Sequence, residues 1–110
     1  MTDPQLTTGK IWTITQLLME QTQPYYEFLR IPAMSMGLYK LPAGGVDGQS
    51  PHNEDETYYV VSGRAQMEIA GERQPVQAGS VIFVAAHVDH RFVEIEEELV
   101  IVVFFAPAET

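Results

Sequence analysis

Apolar and polar positions change period once along this chain. Between Thr13 and Gln21 the apolar residues Ile14, Leu17 and Leu18 recur at helical spacing, Glu20 and Gln21 are polar, and Thr13 or Thr15 is placed to act as N-cap. Pro24 ends that segment, and the chain beyond it reads as strand and turn. Strands are predicted over 25–31, 34–41, 57–61, 65–70, 73–77, 80–85, 90–95 and 99–106, with Pro and Gly at most of the breaks. Ser62-Gly63 has the composition of a tight hairpin. Glu94, Glu96, Glu97 and Glu98 read as a solvated hairpin joining the last two strands, its charge discouraging edge-to-edge aggregation. Strands recurring at intervals of about 8–12 residues, with no helices between them, predict an antiparallel sandwich or barrel rather than a parallel α/β sheet.

The composition narrows the function classes. At 110 residues the chain has room for a single core, divided as an arm and short helix over 1–23 and a barrel over 24–110. Hydrophobic residues make up 45% and charged residues 19%, which is globular. Six basic side chains against 15 acidic ones give a net charge of −9, a surface that repels phosphate backbones and anionic lipids, so neither nucleic acid nor membrane is expected as a partner. Without cysteine there are no disulfides, thiol nucleophiles or thiolate metal sites. The longest apolar run, 99–106, is too short to span a bilayer, and no basic-then-apolar leader opens the chain, so a cytoplasmic location is expected.

Candidate chemistry gathers at two strand starts. The three histidines are His52, in Ser50-Pro51-His52-Asn53-Glu54-Asp55-Glu56, and His87 and His90, in Ala86-His87-Val88-Asp89-His90. In an extended segment residues four apart share a face, so His52 and Glu56 can point the same way, with Tyr58 and, if the segment is regular, Glu54. His90 would share its face with Phe92 and Glu94. If both strands line one barrel, two imidazoles and a carboxylate meet inside it, a donor set suited to Fe, Mn, Zn, Ni or Co with coordination positions left open. Tyr58 and Phe92 are the candidate pocket walls.

The order of residues resembles the two motifs of the cupin superfamily. Its first motif runs Gly, five residues, His-x-His, three or four residues, Glu, six residues, Gly. Here His52 precedes Glu56 by the motif's spacing, and Glu56 precedes Gly63 with six residues between. The second motif runs Gly, five residues, Pro-x-Gly, two residues, His, three residues, Asn. His90 falls on its histidine, while Ala85 and His87 stand at the Pro and Gly positions and Glu94 at the Asn. The resemblance implies an all-β, cupin-type double-stranded β-helix (jelly-roll) barrel with a short N-terminal helix, and divalent-metal ligands at His52, Glu56 and His90. The first motif histidine is replaced by Ser50, so the usual fourth ligand is missing; Ser50, Glu54, Asp55 or a water are the candidates for that place. Glu54 and His87 are candidate proton carriers near the mouth. The expected function is metal binding with a small polar organic molecule in the barrel, either as an enzyme of oxygenase, isomerase or lyase type or as a non-catalytic binding or sensing module. A homodimer is expected, because the apolar last strand and the aromatic 25–28 segment need covering.

Overall fold

The computed structural model describes residues 8–110; most of the polar arm expected over 1–10 lies outside them. Among the described residues there is one helix, α1 (Ile14–Glu20), and six strands: β1 (Tyr25–Ile31), β2 (Met34–Leu41), β3 (Asp55–Ile69), β4 (Glu72–Gln77), β5 (Val81–Val84) and β6 (His90–Ala106). The helix forms where predicted, and Thr13 is its cap, its hydroxyl accepting from the Gln16 amide at 3.2 Å. No described helix is long and apolar enough to cross a membrane.

All strand pairs are antiparallel, in the order β1-β2-β6-β3-β4, with β5 on the first half of β3. Pro75 sits in β4, an edge of that order, where a missing backbone donor costs no ladder bond.

Two of the predicted turns are not turns. Ser62-Gly63 lies in the middle of β3, and Glu94–Glu98 lies in the middle of β6, so eight expected strands become six. Both places are bulges, and they face each other: the β3–β6 register slips at Ser62, Arg64 and Gln66. Gly63 has φ +99, and a Cβ there would overlap the Glu98 carbonyl oxygen of the facing strand. Glu94 has φ +48. The bulges reverse the inside–outside phase of both strands. Glu56, Tyr58 and Val60 point inward before the β3 bulge, Ala65 and Met67 after it; in β6 His90 and Phe92 point inward before, Ile95, Leu99, Ile101 and Val103 after. Glu94 is therefore exposed rather than beside His90, and it faces Arg73 at 3.7 Å. Glu96 and Glu97 remain solvated, paired with Arg64 at 2.9 and 3.5 Å.

The inward side chains form the main core, from Leu41, Tyr58, Met67 and Phe92 to Ile101 and Phe105. A second cluster lies outside the sheet, where Leu17 of α1 packs on Leu38, Val100 and Val102. This explains why 99–106 is apolar throughout: its inner face lines the core and its outer face lies under the helix. Phe28 meets Trp12 edge-on at 5.0 Å. The two apolar features that motivated a partner subunit are thus covered, at least in part, within the chain.

Candidate metal centre

Antiparallel pairing sets the β3 start beside the β6 end and the β6 start beside the β3 end, yet the inward side chains of Glu56 and His90 meet across the barrel interior, and the 42–54 loop brings His52 to the same place. His52 is held there by the neighbouring loop: its carbonyl accepts from the His87 amide at 2.7 Å, and Asp55 accepts from the Ala86 amide at 2.9 Å. Donor atoms of His52, Glu56 and His90 all lie within 4.8 Å of one another. Glu56 and His90 are buried and His52 half-buried. Glu56 Oε1 is 3.0 Å from His90 Nε2 and 3.9 Å from His52 Nε2.

Their partners fix which atoms face inward. His90 Nδ1 donates to the Val88 carbonyl at 2.9 Å, since a carbonyl only accepts. His52 Nδ1 lies 3.0 Å from a Glu109 carboxylate oxygen and carries the hydrogen for the same reason. In the neutral rings both Nε2 lone pairs are left for a metal, while protonated His90 in the metal-free protein donates its Nε2 hydrogen to Glu56.

A fourth donor is present that sequence reasoning missed. Gln49 Oε1 lies 3.1 Å from His52 Nε2, 3.2 Å from His90 Nε2 and 2.9 Å from the Tyr58 hydroxyl, which is itself 3.0 Å from His90 Nε2. Ser50, one residue further on, is exposed and does not line the cavity. The 42–54 loop is irregular, so strand parity does not operate there, and the longer Gln side chain reaches where a Ser hydroxyl would not. Asp47 sets the amide's orientation: Oδ2 accepts from Gln49 Nε2 at 2.6 Å and from the Phe92 amide at 2.9 Å, and Oδ1 accepts from Tyr39 at 2.6 Å. The available signal was an acidic residue two before Gln49 in a loop otherwise rich in Gly.

The other predicted site residues are elsewhere. A bend over 53–54 takes Glu54 off the His52 face, and its buried carboxylate accepts from the Thr110 amide and hydroxyl at 3.1 and 2.8 Å. His87 is exposed, in the left-handed region at φ +68, and contributes its backbone rather than its ring. Tyr58 lines the cavity, but Phe92 meets it edge-on from behind, ring centroids 5.1 Å apart, inside the core.

The cavity beside the cluster has a volume of about 190 Å³ and is walled by Tyr25, Tyr39, Val103 and Phe105. Glu109 closes one side. The C-terminal segment carrying it is tied down by its amide to Ser35 at 2.9 Å, and by its carbonyl to Arg30. Burial, and then the Glu56 charge, push the Tyr58 hydroxyl far above the usual phenol range. Burial favours neutral His90, but hydrogen bonding to Glu56 and to the Val88 carbonyl outweighs it, so its pKa is raised. Burial also raises Glu109, against the pull of His52.

Two imidazole lone pairs, a carboxylate oxygen and an amide oxygen thus converge, with the Tyr58 hydroxyl donating to Gln49. Converging acceptors of this kind fit a divalent transition metal.

The comparisons with known proteins agree with this fold. Residues 37–106 match the Cupin domain family. An uncharacterized protein of Streptomyces coelicolor is 49% identical over 86 residues, covering 78% of this chain and 82% of that one. Among solved structures, a Klebsiella pneumoniae protein with a double-stranded β-helix domain superposes with TM-score 0.76 at 16% identity, over 90% of each chain. Clostridium difficile EutQ superposes with TM-score 0.65 at 19% identity; the match covers 76% of this chain but only 61% of that protein. At these identities the structural matches speak for the double-stranded β-helix fold alone. By the extent of the family match, which spans more than half of it, the chain belongs to the cupin-domain family.

Proposed function

We propose that this cupin binds one divalent transition metal through His52, His90 and Glu56, with Gln49 as a fourth, neutral donor, and presents a small organic molecule to it in the adjoining cavity. The single observation that carries the reading is the convergence of these donors with both imidazoles oriented from behind, His90 by Val88 and His52 by Glu109. Such a metal supplies Lewis acidity and, with positions left open, room for an exogenous ligand. The chain's own part is to hold the donors, to keep bulk water off with Tyr25, Tyr39 and Phe105, and to keep a carboxylate, Glu109, at the cavity side.

One observation favours binding without turnover as a second reading. Glu54 is engaged by Thr110 and His87 is exposed, so neither expected proton carrier reaches the cavity. Loading the protein with Fe(II) under air and following dioxygen across a panel of small organic molecules separates the two. Substrate-dependent consumption supports an oxygenase; stoichiometric metal with no turnover in dioxygen, isomerase or lyase assays supports the module. Protein purified without chelators that is metal-free and also takes up no added Zn²⁺ rejects both.

A further inference from the structure

Taking the metal centre as its setting, we infer that the cavity receives a small uncharged organic molecule with an apolar body, whose hydrogen-bonding atom is met by the Tyr25 hydroxyl. Besides the His52 imidazole, the ionisable acidic groups on the cavity are the carboxylates of Glu56 and Glu109, and among the described residues no Lys or Arg lines it. Asp47 adds a third buried carboxylate immediately behind Tyr39. The nearby cation, Arg30, is engaged by Glu27 and by the Glu109 carbonyl. A divalent ion would be matched by these carboxylates, leaving no positive charge for an anionic ligand.

Size and polarity point the same way. The walls are aromatic and aliphatic, and a volume of about 190 Å³ compares with the roughly 150 Å³ of an engineered cavity that admits benzene. Tyr25 stands out among the walls because its hydroxyl is buried without a hydrogen-bond partner among the described residues. An unpaired buried hydroxyl is unfavourable, and a ligand acceptor relieves it. Burial and the charges of Glu109 and Glu27 keep that hydroxyl protonated, hence a donor. Its ring lies across β2 at Gly37, where a Cβ would overlap the ring tip, so the tyrosine's placement depends on that glycine.

Benzamide and benzoate, alike in shape and different in charge, test this by isothermal titration of the Zn-loaded and the metal-free protein. Benzamide should bind at least about tenfold tighter than benzoate in both forms. Tyr25→Phe should weaken benzamide about tenfold without moving Zn²⁺ affinity, and Gly37→Ala, which displaces the ring tip, should weaken it too. Benzoate binding as tightly as benzamide, no benzamide binding, or an unchanged affinity in Tyr25→Phe each overturns the inference. Zn²⁺ affinity reports on the metal centre separately: preference for benzamide without Zn²⁺ binding supports this inference and rejects that centre.

Discussion

Asp47 stands behind Gln49, taking the hydrogens of its side-chain amide and of the Phe92 backbone, so that Gln49 turns its oxygen toward both histidines. Asp47→Ala removes the constraint, because the amide hydrogens lose their acceptor and Gln49 is free to turn its oxygen or its nitrogen toward the histidines. The variant should fold and bind Zn²⁺ on the order of 10–100-fold more weakly, measured by competition with a chelating dye. His90 carries the pH dependence. Its raised pKa in the metal-free protein means that its stabilising contribution is complete below the unfolded value of about 6.5 and is lost as pH rises through the folded value. Metal competes for the same nitrogen, so the gain in Tm on adding Zn²⁺ should grow from about pH 5 to about pH 8. A gain independent of pH would contradict this.

The elements turn on the paired bulges of β3 and β6. Gly63 combines a left-handed backbone with close approach of the Glu98 carbonyl, so Gly63→Ala should destabilise the fold by about 3 kcal/mol or more in chemical denaturation. The short helix is secured by a single fully buried side chain, and Leu17→Ala should cost about 2–4 kcal/mol while leaving Zn²⁺ affinity unchanged, since α1 packs on the sheet face opposite the cavity. These elements also show how far the sequence could be read. Strand starts at Tyr25, Met34 and His90 were legible because Pro, turn residues and β-formers coincide there. The bulges were not, because a bulge and a hairpin call for the same residues: Ser62-Gly63 and the Glu96–Glu98 run satisfy either. What separates them is the partner strand, which local pattern does not contain. Glu56 and His90 were legible because each lies in a regular strand segment ahead of the bulges, where period two holds, whereas His52, in the irregular loop, was legible only by its spacing from Glu56 in the motif the chain resembles. Gln49 and Asp47 lie in a loop, and Glu109 reaches His52 from 57 positions away, beyond any periodicity.

At the scale of the whole molecule, the site is assembled from the 42–54 loop, the starts of β3 and β6, and the segment after β6. Residues 108–110 bond to Pro32, Ser35 and Glu54, and Glu109 orients His52. Removing 107–110 should leave a folded barrel whose Zn²⁺ affinity falls on the order of 10–100-fold, as expected when the partner of a ligating imidazole is lost. The account rests most directly on the metal itself. Elemental analysis of protein purified without chelators, beside His52→Ala and His90→Ala prepared identically, is the decisive measurement. One equivalent of a divalent transition metal per wild-type chain, and little or none in either variant, is the predicted result. Metal-free wild-type protein that also fails to take up added Zn²⁺, or variants that retain metal in full, would contradict it.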